Sequence, residues 1–380
     1  MISAETCPGA RLFPFYRTVL PTPRIDWRDN LGGGQSMKKR VIAWILLACL
    51  PLLTACGQKE EAPRGVLETA ADLDGETILL TIGEREVPAW RYLYWLGVTC
   101  DRVGDFYAES GGAPDWNAPV SGGTLADYAR DQALADTALY ATVENWAEEY
   151  QCALTDEDRA ALAENWAAKA EESGGEDAYL AKLKPLGLDR DRAQVLAEDG
   201  RLYGKLFALY RTQGSALNPA KGVVTEFSKS QGYATVERIF LSAGDDKTAQ
   251  RKKAETLFAQ LNASGDPLTA FAAMAETYSK DPTLKRTFVP GESGLDPSLE
   301  SAALNLAENQ WSGILETADG FSILLRRSVD MAAVAADYFD FLLQSSAEDA
   351  AVETTRAYDH LEISGFYQEL TKARNDTVGD

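Results

Sequence analysis

Side chains that trade protons, ligate metals or attack carbonyls are few in this chain, and fewer still stand in a usable pattern. Its single histidine, His360, lies in RAYDHLEIS near the carboxyl end, with no serine nucleophile or ligand set spaced around it. Serine–histidine hydrolysis, cysteine–histidine chemistry and zinc hydrolysis therefore lack their parts. No G-x-x-x-x-G-K-S/T loop or G-x-G-x-x-G turn occurs, so no phosphate cradle is written into the sequence. Neither cofactor nor metal is expected. The 58 acidic residues against 37 basic ones supply carboxylate pairs by chance, so acidic pairs alone locate no site. What remains is TADGFSILLRR, residues 317–327. It reads as the tip and return strand of a β-hairpin with Ser322 facing inward, walling either a catalytic pocket or a place where peptide binds.

A second reactive position stands near the amino end. From Met37 the chain reads MKKRVIAWILLACLPLLTAC, three cations, then an apolar run broken by Pro51, then small residues before Cys56. That is the pattern of a secretory signal, and Val41 to Leu53 falls short of the roughly 20 residues needed to span a bilayer. The ending LTAC resembles a bacterial lipobox, which implies cleavage before Cys56 and acylation of its sulfur, so that lipid on Cys56 holds the protein at the membrane. Residues 1–36 precede this signal and read as a mis-assigned start. Processing would leave 325 residues with 30 basic and 55 acidic side chains, a net charge of −25. Nucleic acid is not an expected partner. Of five cysteines, Cys100 and Cys152 remain in the exported part, either as a disulfide or as two separate thiols.

The elements that must position Ser322 fall into two blocks. Residues 56–75 are polar and aperiodic, as a tether would be. Residues 76–231 open with two short strands turned at Gly83 and continue as helices. Leu125, Tyr128, Gln132, Asp136, Leu139, Val143, Trp146 and Tyr150 recur at three or four and are expected on one buried face. Leu162 and Trp166 are expected inward on the next helix. Thr124 with Asp127, and Thr155 with Asp158, have the spacing of helix-capping pairs. From residue 232 the character changes. ATVERIFLS is a strand, KTAQRKKAETLFAQLNASG and PLTAFAAMAETYSKD are helices, Asp296 caps PSLESAALNL, and WSGILETADGFSILLRR is a strand pair turned at Asp319-Gly320. The order β, α, α, α, β, β over 232–330 makes an α+β domain, and the tail, 331–380, reads as helical.

FAAMAETYSKD, the spaced LESAALNLAENQWSGILETADGF and the strands at either end resemble the parvulin (PpiC-like) family of peptidyl-prolyl isomerases. The helical block before them looks like the chaperone module of SurA-like and PrsA-like extracytoplasmic foldases. This likeness implies a fold, a helical module followed by a parvulin-like domain of antiparallel sheet and helices, and a substrate, unfolded secreted polypeptide bearing proline. It implies rotation of an X-Pro amide, whose barrier of roughly 18–20 kcal/mol falls when the bond is desolvated and twisted. Carried over by position, the apolar floor falls on Leu295 and Leu299 with Leu304 beside them, and the polar group on Asp281. The family's two histidine positions fall on Ile239 and Ser322, and its glycine-rich turn on FVPGESG, so activity is expected to be weakened. A non-catalytic holdase is the alternative, and a solute-binding lipoprotein, which would need repeated β-α units around a hinge, is a third.

Overall fold

The computed structural model describes residues 64–378 apart from Ser110 and Asp245. The signal-like segment, its lipobox, Cys56 and residues 1–36 lie outside the described residues. The chain divides into two compact units, one reaching to Leu206 and resuming at Leu343, the other Phe207–Leu342.

The first unit opens inside the expected tether, where α1 (Val66–Ala71) buries Val66, Leu67 and Ala70. Strands β1 (Ile78–Ile82) and β2 (Arg85–Pro88) pair antiparallel through the turn at Gly83. Helix α2 (Ala89–Glu109) follows, then the two-residue pair β3 (Pro119–Val120) and β4 (Gly123–Thr124), then α3 (Leu125–Glu149). Helices α4 (Asp156–Ser173) and α5 (Glu176–Leu183) precede one 3-10 turn and α6 (Arg190–Arg211), within which the unit boundary falls. Thr124 and Thr155 each accept from the backbone N–H three residues on, and the aspartate there accepts in return, so both capping pairs form.

The buried stripe of α3 is not the one that bulk suggests. Leu125, Ala129, Ala133, Thr137, Tyr140, Ala141 and Val143 are buried, whereas Tyr128, Gln132, Asp136, Leu139, Trp146 and Tyr150 are half-buried at its flank. Successive residues turn by about 100° on a helix of 3.6 residues per turn, so an offset of one residue moves the inward face to the alanines. Those small side chains admit the large ones of α2, with Trp95 and Tyr140 at 4.6 Å between ring centroids. Leu162 and Trp166 are likewise only half-buried, Trp166 lying edge-on to Tyr179. Cys100 is buried and Cys152 half-buried, both as free thiols.

The second unit has α7 (Val223–Gln231), β5 (Ala234–Ser242), α8 (Lys247–Ala263), α9 (Pro267–Tyr278), β6 (Lys285–Phe288), α10 (Pro297–Asn305), β7 (Leu315–Glu316) and β8 (Gly320–Arg327). The strands form one antiparallel sheet in the order β6-β5-β8-β7. Strand β6 is an addition to the expected order. Its residues, KRTF, carry too few apolar positions to announce a strand. They pair because β5 offers them an edge, with Ala234 opposite Phe288 and Val236 opposite Arg286.

Helix α11 (Met331–Glu348) carries the chain back into the first unit. There the tail is not purely helical. Strand β9 (Val352–Thr354) pairs with β1, then come α12 (Arg356–Asp359) and α13 (Ile363–Val378). Phe366 and Leu370 of α13 join the core built by α1, α2 and α3. His360 is exposed at the end of α12. No described helix is long and apolar enough to cross a membrane.

Candidate functional site

Antiparallel register decides which side chains can meet. Residues directly opposite one another share a sheet face, and β5 and β8 pair Arg238 with Leu324, Ile239 with Ile323 and Phe240 with Ser322. One face thus carries Val236, Arg238, Phe240, Ser322 and Leu324. The other carries Ile239, Leu241, Phe321, Ile323 and Leu325, which pack with Leu257 and Leu261 of α8 and Phe271 and Ala275 of α9 into a closed core. Ile239 therefore points away from Ser322. The residue meeting Ser322 and Asp281 is its neighbour, Arg238.

Arg238 holds the group together. Its Nε donates to Ser322 Oγ at 3.0 Å and its Nη1 to Asp281 Oδ2 at 3.1 Å. Asp281 Oδ1 accepts from Arg286 Nη2 at 2.7 Å and from the Thr283 backbone N–H at 2.9 Å. The Asp281 position is itself fixed. Ser279 Oγ accepts from the N–H groups of Phe240 and Asp281 and donates to the Arg238 carbonyl, which binds the end of α9 to β5. The guanidinium of Arg238 lies 4.1 Å from the Phe240 ring centroid, a cation–π contact. Ser322 is 1% exposed and the Asp281 side chain 2%, against 13% for Arg238 and 24% for Arg286. Burial, the largest influence, lowers the Arg238 pKa, and Asp281 only partly restores it.

The three leucines separate. Leu299, 1% exposed, faces inward from α10 with Ala303 and packs with Ala234, Val236, Phe288 and Leu324 on the Ser322 face. Leu315, opposite Ser322 on β7, joins the edge of this cluster, as does Leu295. Leu304, by contrast, is exposed on the outer side of α10. There it lines a groove of about 540 Å³ together with Leu295, Pro297, Glu300, Ser301 and Asn305. Leu295 alone belongs to both places. Asp281 and Ser322 do not line the groove.

One wall of the groove is the 289–294 loop, and Glu300 ties it down. Its carboxylate accepts from Gly291 N–H at 2.5 Å and from Ser293 Oγ at 2.5 Å. Desolvation, the largest single influence, raises the Glu300 pKa, but the hydrogen bonds from Ser293 and Gly291 outweigh it and leave the carboxyl below its ordinary value. The loop is short and internally bonded, so FVPGESG serves as a turn although its composition differs from a glycine-rich one.

Two residues of this site, Arg238 and Arg286, were not legible as site residues. Strand β5 is apolar on both faces, so hydrophobic alternation gives no phase, and a slip of one residue exchanges the faces. The arginine in ATVERIFLS was the available signal, one of two adjacent charges, with Glu237, in a largely buried strand.

Compared with known proteins, residues 236–328 match the family described as Rotamase, PPIC-type PPIASE domain. The chain thus carries a parvulin-type domain preceded by a mostly helical unit. No curated protein matches the sequence significantly. Among solved structures, PrsA from Bacillus subtilis is 14% identical, with a TM-score of 0.28, over 69% of this chain and 90% of that one. The foldase protein PrsA from Streptococcus pneumoniae is 15% identical, with a TM-score of 0.28, over 67% and 92%. A structure described with PEB4 and Cj1289 as SurA-like chaperones of Campylobacter jejuni is 14% identical, with a TM-score of 0.21, over 70% and 96%.

Proposed function

We propose that this protein is an extracytoplasmic foldase, held at the membrane by lipid on Cys56, whose parvulin-type domain binds proline-bearing segments of unfolded secreted chains and isomerises X-Pro bonds. The observation that carries this reading is the coincidence of the PPIC-type match at 236–328 with a sheet face on which Arg238 joins Ser322 to Asp281 of the loop between α9 and β6, beside the apolar cluster of Leu299 and Leu315. The chemistry needs no covalent step. An apolar surface strips water from the amide, and nearby donors favour the twisted bond, in which the nitrogen lone pair is no longer delocalised. The family's histidine positions fall on Ile239, which points to the other sheet face, and on Ser322, so the donor this chain offers beside Ser322 and Asp281 is Arg238, the neighbour of Ile239. Uncatalysed isomerisation takes tens to hundreds of seconds, so an exported chain gains from acceleration.

A non-catalytic holdase is the second reading, and one observation favours it. Asp281 and Ser322 are almost wholly buried and bonded to Arg238, while the open groove at Leu295 and Leu304 lies on the outer side of α10. Isomerisation of an Ala-X-Pro-Phe peptide by the full-length protein, with Asp281→Ala and Leu295→Ala beside it, separates the two. Acceleration that falls at least tenfold in Asp281→Ala supports the isomerase. No acceleration, with aggregation of an unfolded client still suppressed, leaves the holdase. Partition of the wild-type protein, but not of Cys56→Ser, into the detergent phase of cell extracts tests the anchor.

A further inference from the structure

The charge of the site is unbalanced, although the chain as a whole carries −21. Two guanidiniums, Arg238 and Arg286, close on a single carboxylate, that of Asp281. Asp319 at the hairpin tip acts on Arg238 only as a weaker, more distant charge. Each guanidinium presents five N–H donors. Arg238 uses one on Ser322 and one on Asp281, and Arg286 uses one on Asp281. Exposure points the same way. The carboxylate lies at the bottom of the network and the two arginines at its accessible edge, so an approaching ligand meets cation.

We propose that Arg238 and Arg286 select an anionic side chain next to the proline, so that the preferred segments are Glu-Pro and Asp-Pro. This rests on the reading that the Ser322 face receives the X-Pro segment. A carboxylate there takes donors that the fold leaves unspent, and it adds the negative charge that Asp281 alone does not supply. Arg286, on the edge strand β6, is a specificity residue in this scheme. Arg238 serves both binding and specificity.

The test is binding rather than turnover, so that it stands apart from the isomerase reading. End-blocked fluorescent Ala-X-Pro-Phe peptides with X as Glu, Gln or Lys are titrated into the full-length protein at low salt. Glu-Pro is expected to bind at least fivefold tighter than Gln-Pro and tighter still than Lys-Pro, the reverse of what the acidic surface alone would give. The preference should shrink at high ionic strength. In Arg286→Gln the Glu/Gln ratio should fall toward one, and Arg286→Lys should retain most of it. Equal affinities for the three peptides, no saturable binding of Glu-Pro up to millimolar protein, or a ratio unchanged in both Arg286→Gln and Arg238→Gln would overturn the proposal. Loss of catalysis with the Glu preference intact would remove the isomerase and keep the selectivity. Turnover of Ala-Pro without that preference would do the opposite.

Discussion

At the scale of single residues, burial separates positions that look alike in sequence. Leu299 and Leu304 stand five apart on one short helix, yet only the first is enclosed. Leu299→Ala should therefore destabilise the second unit by about 2–5 kcal/mol, as large-to-small changes in a core do. Leu304→Ala should stay within about 0.5 kcal/mol, as at an ordinary surface site, and still weaken peptide binding if the groove takes part. Urea unfolding followed at Trp311 reads both. A second residue-scale case lies in the first unit, where Arg91 donates to Glu144 at 2.9 Å and to Asp199 at 2.7 Å. Burial, the largest influence, pushes the Asp199 carboxyl up to about 8. Arg91 draws it down, and Glu144 pushes it further up. The folded state then holds a proton that the unfolded chain releases near pH 4, so stability contributed by this group falls as pH rises from about 4 to 8. Asp199→Asn keeps the Arg91–Glu144 pair and removes the titrating group. The variant should lose much less stability than wild type between pH 5 and pH 7.5, measured at the tryptophans of the first unit. An unchanged pH slope would show that Asp199 does not carry it.

At the scale of elements, much of the second unit was legible and its reasons are local. Asp296 accepts from Ser298 N–H with Pro297 in first position, as a helix start requires, and β7 and β8 turn at Asp319-Gly320 as the dipeptide implies. Gly320 is needed for more than the turn. Its φ is +149°, and an added Cβ would lie 2.1 Å from the Leu241 carbonyl oxygen, so any side chain would part β8 from β5. Gly320→Ala should destabilise the unit by about 2–3 kcal/mol, visible as a lower urea midpoint. A midpoint within error of wild type would mean that the hairpin yields without cost. The elements that escaped the sequence share one cause, which is that their partners are remote. Strand β6 forms on an edge supplied by β5 some fifty residues earlier, and β9 on one supplied by β1 about 270 residues earlier. The phase of β5 was hidden because apolar layers cover both of its faces. Asp281, Ser322 and Leu299 could be named from motif position, but their joining by Arg238 follows from pairing register, which the sequence does not spell out.

At the scale of the whole molecule, the chain builds most of one unit, makes a second, and returns to finish the first. The return is structural. Gly83 N–H donates to the Ala351 carbonyl at 2.8 Å, Thr355 N–H to Leu79 O at 3.1 Å, and Arg130 Nη2 to the Leu361 carbonyl at 2.7 Å. Arg374 Nη1 donates to Asp101 Oδ1 at 2.7 Å, while Phe366 and Leu370 complete the core. Without these residues β1 would lose a partner strand, and Leu67, Tyr92 and Leu96 part of their cover. The second unit has its own sheet and its own apolar clusters on both sheet faces, which is what an autonomous domain needs. Its size, about 136 residues, is ordinary for one. Two fragments should thus behave oppositely. Residues 207–342 expressed alone should give dispersed amide resonances and a single cooperative urea transition. Residues 64–206 alone should not, and should recover cooperative unfolding only when 343–378 are joined back through a linker. A folded 64–206 would mean that the tail merely decorates the first unit. An unfolded 207–342 would mean that the parvulin-type sheet depends on the segments flanking it, and isomerase measurements would then require the intact chain.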